Sequence, residues 1–449
     1  MYSDSDTIVA IATPAGRGGI GVLRISGPEA ATVAGGLLQV ELPLQPRHAT
    51  FARTHGDHVI ATYFPAPHSY TGEHVVELSA HGSPVVLRQI LERAMALGAR
   101  LAEPGEFTLR AFLNSRIDLV QAEAVADLID AVTPLQARAA FDQLEGTLTC
   151  RIGEIDAELF DLIAKLEASL DFPDEGYHFV EAGTAGTAVR AIESKLQALL
   201  CEAKRGRLIR EGARIAIGGK PNVGKSSLFN ALLRSGRAIV TAVPGTTRDL
   251  VTETADADGL RLELVDTAGV RDTSDEVESQ GIDRARKAWS TADLVLVVLD
   301  ASLPLESDDF RLLEETAAMP RLIVAHKSDL IGAWRELDAS EPLIAVSSKT
   351  GEGLDLLRRA MRLALEGGDA APVRDTAAVT NIRHTGLLER ARLALRRAGD
   401  ALEAPEGPAA EEFILTDLQE ARAALEEVTG RRTSEDLLRH IFSRFCIGK

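Results

Sequence analysis

The sequence predicts a multidomain protein of α/β plus α class: an N-terminal α+β domain, a discontinuous helical domain, and an α/β domain inserted into it. Three observations predict this. The 449 residues correspond to about three domains at roughly 150 residues each. The hydrophobic period changes twice along the chain, from short β-like runs to helical spacing and then to buried-strand runs alternating with helical segments. Helical spacing then returns near the C-terminus, as if the alternating segment interrupted one helical unit.

From Thr7 to about Asp118, the runs Ile8 to Ala12, Gly21 to Ile25 and Val75 to Leu78 lie between glycine and proline punctuation, the mark of an α+β domain. Beyond Leu119, the residues Leu148, Ile152, Ile155, Leu159, Ile163, Leu166 and Leu170 are three or four positions apart and share one helix face. That stripe has to be buried against another helix. Asp171-Phe172-Pro173-Asp174 stops it, and Val189, Ile192, Leu196 and Leu199 mark a second helix ending near Gly212. From Arg214 the runs Ile215 to Ile217, Leu260 to Val265, Leu294 to Leu299, Leu322 to Ala325 and Leu343 to Val346 alternate with helical segments, as in an α/β sheet domain. The alternation ends near Pro372, after Gly367-Gly368-Asp369-Ala370-Ala371, and Ile414, Leu418, Ala421, Leu425 and Val428 restore the helical stripe. The expected boundaries are 1–118, 119–211, 212–372 and 373–449. Insertion at an exposed turn is tolerated, so the economical reading makes the two helical stretches one domain, and independent helical domains are the alternative.

Composition excludes several classes. The 49 Lys and Arg against 67 Asp and Glu leave a net charge of −18, which rules out a blanket cationic coat for polyanions but not a local basic patch. Cys150, Cys201 and Cys446 are odd in number and scattered, so neither a disulfide framework nor a thiolate zinc cage is expected. Met1 to Asp6 carries no basic cluster, so no signal peptide is expected, and the apolar run Leu294 to Leu299 is far shorter than the ~20 residues that span a bilayer. The expectation is a cytoplasmic protein without a membrane role.

The central domain carries the chemistry. Gly219-Lys220-Pro221-Asn222-Val223-Gly224-Lys225-Ser226 matches G-x-x-x-x-G-K-[ST] between a strand and a helical run, the context this phosphate loop requires. Its glycines let backbone N–H groups curl around phosphate oxygens at a helix N-terminus. Lys225 is expected at the β/γ-phosphates and the Ser226 hydroxyl on Mg²⁺. Asp266-Thr267-Ala268-Gly269 follows the next strand, placing Asp266 on the metal side and the Gly269 N–H toward a γ-phosphate. Gly245-Thr246-Thr247-Arg248 precedes a hairpin turning at Asp258-Gly259, and Thr247 is the candidate to close on Mg²⁺. His326-Lys327-Ser328-Asp329 and Ser347-Ser348-Lys349 end two further strands. The Asp329 carboxylate can accept both hydrogen bonds of the guanine N1–H and N2–H₂ edge, which adenine cannot supply.

This ordered set resembles the GTPase signature of the translation-factor-related class, a Ras-like P-loop fold, with two departures. His326 stands where the pattern has an Asn that braces the loop to the nucleotide. Val270 follows the D-x-x-G glycine where Ras-type enzymes carry a water-orienting Gln. The polar catalytic group must come from elsewhere, and Asp272, Asp275, Glu276 and Glu278 are each either that group or a solvated loop residue.

The phosphate loop, Pro244-Gly245-Thr246-Thr247-Arg248-Asp249 and Asp275-Glu276-Val277-Glu278 are together similar to the TrmE (MnmE) family of tRNA uridine-modification GTPases. So are Thr13-Pro14-Ala15-Gly16-Arg17-Gly18-Gly19, Pro104-Gly105-Glu106-Phe107-Thr108, Arg110-Ala111-Phe112-Leu113-Asn114 and the terminal Phe445-Cys446-Ile447-Gly448-Lys449. The resemblance covers essentially the whole chain. It implies a GTP site of Asn222, Val223, Gly224, Lys225, Ser226, Ser227, Thr241, Thr246, Thr247, Asp266, Thr267, Ala268, Gly269, His326, Lys327, Asp329, Ser347, Ser348 and Lys349. It also implies a K⁺ ion held by Asn222, Thr241, Val243 and Thr246 in the place of an arginine finger, with Glu278 orienting the catalytic water when two GTPase domains of a homodimer meet.

For the N-terminal domain the resemblance implies dimerisation and binding of a tetrahydrofolate derivative, the 5,10-methylene or 5-formyl form, by Arg24, Glu77, Arg116 and Lys449. Arg116 stands where the family usually has Lys. Without the family, Arg24 and Glu77 read as an exposed salt bridge and Cys446 as a small buried hydrophobe; with it, Cys446 lies near the modification centre. The implied function is K⁺-dependent GTP hydrolysis that, with the FAD-dependent partner MnmG in a heterotetramer, adds a carboxymethylaminomethyl or aminomethyl group to C5 of the wobble uridine of certain tRNAs. The rivals are a regulatory GTPase switch in ribosome assembly and a folate-dependent transferase acting alone.

Overall fold

A computed structural model describes residues 6–40, 43–171, 182–235, 252–257, 259–266, 286, 288–330, 332, 334, 343–366, 379–404 and 411–449. The chain forms two compact units, one from Met1–Ala126, Gln143–Asp156 and Gln419–Lys449, the other from Asp127–Asp142 and Ala157–Leu418. Among the described residues no helix is long and apolar enough to cross a membrane.

In the first unit, β1 (Ile8–Ile11), β2 (Ile20–Ser26), β3 (Thr50–Thr54), β4 (Asp57–Phe64), β5 (Val75–His81) and β6 (Arg100–Leu101) form one sheet of order β3-β4-β5-β2-β1-β6. The three runs read from the sequence are β1, β2 and β5. Alternation along β2 sends Leu23 and Ile25 into a core with Val9, Val76 and Leu78, which the helices Ala30–Leu37 and Pro84–Ala96 cover. Arg24 falls on the opposite face, directly opposite Glu77 of β5. On that face Phe51 and Ile60 are cross-strand partners, and both stay exposed, at 68% and 47%.

The helix Glu106–Leu113 starts at Gly105, whose left-handed backbone (φ 69°) packs so closely that a Cβ would meet the Phe442 carbonyl at 2.7 Å. The C-terminal helix Glu435–Phe442 and the tail dock there. Phe442 and Phe445 join Leu109, Leu119 and Ala122 in one small core, and the Phe107 N–H donates to the Lys449 carbonyl at 3.2 Å. The left-handed Gly448 (φ 96°) lets the tail lie on β1, since a Cβ would stand 2.6 Å from the Ile11 carbonyl.

The helical stripes are buried as their spacing requires. Leu148, Ile152, Ile155, Leu159, Ile163 and Leu166 of the helix Thr147–Asp171 are all buried, as are Ile414, Leu418, Ala421, Leu425 and Val428 of the helix Glu411–Thr429. The side chain of Leu170 lies outside the described residues. In the second unit, Ala182–Glu211 runs antiparallel to Ile382–Leu402: Arg190 pairs with Asp400 at 2.7 Å, and Glu193 with Arg392 at 3.7 Å. Gly206 lets the chain before the second helix approach, since a Cβ would stand 2.2 Å from the Val379 carbonyl.

The other sheet comprises β7 (Ala213–Gly218), β8 (Thr252–Ala257), β9 (Leu260–Asp266), β10 (Leu294–Asp300), β11 (Arg321–His326) and β12 (Leu343–Val346), in order β12-β11-β10-β7-β9-β8. All pairings are parallel except the β8–β9 hairpin. Register aligns Ile217 with Asp266, Gly218 with Val297, Asp300 with His326, and His326 with Val346. The carboxyl ends of β7, β9, β10, β11 and β12 therefore share one edge, the place where open α/β sheets bind ligands.

Candidate nucleotide-binding site

The phosphate loop runs from the end of β7 to the helix Lys225–Ser235. Asn222 and Gly224 take left-handed conformations, φ 64° and 103°. For Gly224 no other residue is admissible, because a Cβ would stand 2.3 Å from the His326 ring. The Lys225 ammonium donates to the Gly219 and Lys220 carbonyls, both at 2.8 Å, so it lies over the loop where a phosphate would be received. Ser226 and Ser227 are exposed in the first turn of that helix, beside its N-terminal dipole.

His326, which replaces the signature Asn, is bound on both sides within the protein. It is 4% exposed. Its Nδ1 lies 2.8 Å from the Val223 carbonyl, which can only accept, so Nδ1 carries the proton. Its Nε2, 2.7 Å from the Ser348 hydroxyl, is then the acceptor. A neutral ring thus joins the phosphate loop to the loop after β12. Burial pushes the imidazole below its ordinary pKa and Lys327 adds to this, while the Val223 bond, Asp300 and Asp329 oppose it.

Lys327, in a left-handed conformation (φ 62°), donates to the Asn222 carbonyl at 3.0 Å and to Asp300 at 2.5 Å. Burial opposes ionisation of Asp300, but the bonds from Lys327 and Ser302 hold its carboxyl below the usual range. Asp329 accepts from the Ser347 hydroxyl at 2.7 Å, which keeps the carboxyl ionised. The same Ser347 oxygen accepts from the Lys349 and Thr350 N–H groups, both at 3.2 Å. An ionised carboxylate is acceptor-only, the property that guanine's N–H edge requires.

Asn222, Val223, Gly224, Lys225, Ser226, Ser227, His326, Lys327, Asp329, Ser347, Ser348 and Lys349 thus gather at one edge of the sheet. Asp266 ends β9 at that edge by register. Thr241, Val243, Thr246, Thr247, Thr267, Ala268, Gly269, Val270 and Glu278 lie outside the described residues. Sequence reasoning missed Asp300, which ends the apolar β10 run and holds Lys327; its position next to that run was the available signal.

A second cluster forms in the first unit. Arg24 Nε donates to Glu77 at 2.9 Å, and its guanidinium lies over the rings of Tyr70 (5.1 Å) and Phe107 (5.7 Å). The Arg24 side chain is only 15% exposed, so the pair is not the exposed salt bridge that the residues alone suggested. Arg24 Nη1 also donates to the Gly448 carbonyl at 3.5 Å, which brings the terminal residue to this pair, and burial and then Arg24 push the Lys449 ammonium below the usual lysine range, with Glu77 opposing. Cys446 is exposed rather than a buried hydrophobe. Arg116 is exposed on the loop after Glu106–Leu113, where its stem passes Gly72.

The His326 ring gives a pH dependence of known sign. Its depressed pKa means that the closed arrangement binds fewer protons than the open one, so closure is fully favoured above the ordinary histidine value of about 6.5 and weakens as pH falls below it. Fluorescent-GDP titrations from pH 7.5 to 5.5 are expected to show affinity falling severalfold in wild type and far less in His326→Asn. Parallel profiles would remove His326 as the cause.

The description "MnmE helical domain" matches residues 119–446, and "GTP-binding protein TrmE N-terminus" matches residues 7–116. The tRNA modification GTPase MnmE of Koribacter versatilis is 45% identical, with 99% of each chain covered. That of Nitrosomonas europaea is 44% identical over the whole of both chains, and that of Bordetella petrii 46% identical over 98% of each. The chain therefore belongs to the MnmE family of tRNA modification GTPases.

Proposed function

We propose that the chain hydrolyses GTP in a K⁺-dependent manner and, with the FAD-dependent partner MnmG, adds an aminomethyl-type group to C5 of the wobble uridine of certain tRNAs. The one-carbon unit comes from a tetrahydrofolate derivative. The observation that carries this reading is the meeting of Arg24, Glu77 and the terminal Lys449 in the first unit, a partly buried ionic cluster that a bare GTPase switch has no use for. Arg24, Glu77, Lys449 and Arg116 are assigned to the folate, and the exposed Cys446 to the neighbourhood of the chemistry. The exposed β3–β4 end of that sheet face, with Phe51 and Ile60, supports homodimerisation through this domain. The domains are assigned as 1–118, 119–211 with 373–449, and 212–372. A chain of net charge −18 leaves much of the RNA contact to its partner.

In the GTPase site, Ser226 and Thr247 would hold Mg²⁺, which would supply positive charge to neutralise the phosphates. Lys225, held by the Gly219 and Lys220 carbonyls, directs its remaining N–H toward the phosphates, and Asp329 selects guanine. Asn222, exposed at the outer tip of the loop, fits a K⁺ ligand, with Thr241, Val243 and Thr246 completing the set. Glu278 orients the attacking water, the task that Val270 cannot perform.

Two measurements test this. Wobble nucleosides from a strain lacking the protein are expected by mass spectrometry to lose the C5 modification, and an unchanged profile contradicts the function. Hydrolysis is expected to be much faster in K⁺ than in Na⁺ and to fall about 100-fold in Glu278→Ala, the scale of a lost water-orienting group. Equal rates in both salts contradict the K⁺ reading, and a wild-type rate for the variant contradicts the role of Glu278.

A further inference from the structure

The phosphate loop is gripped at two places. His326 and Lys327 hold its second half through the Val223 and Asn222 carbonyls. Its first half is held by Lys220, a position that the loop motif leaves open. Lys220 Nζ lies 2.7 Å from Asp309 Oδ2 and 2.8 Å from Glu306 Oε2, at the start of the helix Ser307–Glu315. The two acids form a reciprocal cap: the Asp309 carboxylate accepts the Glu306 N–H at 2.9 Å, and the Glu306 side chain accepts the Asp309 N–H. The Asp309 side chain is only 5% exposed, whereas that of Glu306 is 74% exposed. With the Lys220 side chain 23% exposed, its contact with Asp309 is partly shielded from solvent, and the Glu306 contact is screened. The backbone of Lys220 serves the site as well, because its carbonyl, with that of Gly219, carries the Lys225 ammonium.

We propose that Lys220 is a positioning residue: its ion pair with Asp309 ties the first half of the phosphate loop to the helix Ser307–Glu315 and fixes the carbonyls that present Lys225 to the nucleotide. The inference rests on reading the loop as the nucleotide site. A loop whose N–H groups and lysine are already placed loses less ordering entropy on binding, so the clamp acts on nucleotide retention rather than on the chemical step. Without the Lys220 cation, Asp309 remains as a buried carboxylate, the loop's first half is released, and Lys225 loses its fixed supports.

The test is the dissociation rate of N-methylanthraniloyl-GDP from the full-length protein, together with kcat and KM for GTP and the melting temperature. Lys220→Met and Asp309→Asn are each expected to speed release about tenfold and to raise KM similarly, with kcat at saturation within about twofold, the scale of one partly shielded charge-assisted bond. Lys220→Arg is expected to restore retention, the double variant to be no worse than either single one, and Glu306→Gln to release GDP at nearly the wild-type rate. Release unchanged in Lys220→Met, or a lowered melting temperature with KM unmoved, overturns the inference while the nucleotide site stands. Failure of the wild-type protein to retain the probe overturns the nucleotide reading and this inference with it.

Discussion

His326 donates from Nδ1 to the Val223 carbonyl and accepts at Nε2 from Ser348, so one uncharged ring holds the phosphate loop against the loop after β12. The two loops come from strands that are not neighbours in the sheet. The ring also sets a constraint on its surroundings. Gly224 has to lack a side chain because the imidazole occupies the space a Cβ would need. Lys327, one residue on, reaches the adjacent carbonyl of Asn222 while Asp300 neutralises it. His326 thereby fastens together the loops that carry Lys225 and Ser348, and the proposed roles of Lys225 at the phosphates and Asp329 at guanine would be coupled through it.

The sheet makes the arrangement possible. Parallel register brings Asp300, His326 and Val346 into line at one edge, and Gly218 opens the phosphate loop two strands from His326. Asp300 and His326 each end a strand whose other residues are mostly buried and apolar, such as Leu294 to Leu299. The apolar runs thus fix where the polar residues after them emerge. In the other unit the terminal Gly448-Lys449 works in a related way. The tail lies on β1 because Gly448 has no Cβ, and this brings a lysine to an arginine–glutamate pair from near the other end of the chain.

Much of this was legible in the residues. Parallel strands buried on both faces read as continuous apolar runs, as β10 and β11 do, while β9 alternates apolar with charged residues, and all five strands β7, β9, β10, β11 and β12 fall where the runs in the sequence lie. The helical stripes were equally plain, since Leu148 to Leu166 and Ile414 to Val428 keep helical spacing and are buried. The β3–β4 hairpin was not read, because Thr50 to Phe64 mixes polar and apolar residues and leaves Phe51 and Ile60 in solvent, so neither periodicity nor burial stands out. The nucleotide residues were found by motif spacing, but the fastening of the loop was not. The sequence shows only that His326 replaces an Asn, not what its two nitrogens bind, and Lys220 and Asp309 are far apart in sequence with no pattern linking them. Contacts between distant side chains leave no periodic trace.

The central claim is that this strand edge holds a guanine nucleotide, chosen by the ionised Asp329 on a loop fastened through His326. Its most direct test is competition: labelled GTP bound to the full-length protein, challenged with unlabelled GTP or unlabelled ATP at equal concentration. The account predicts that GTP displaces the label and ATP leaves it bound. Equal displacement by the two nucleotides would contradict it.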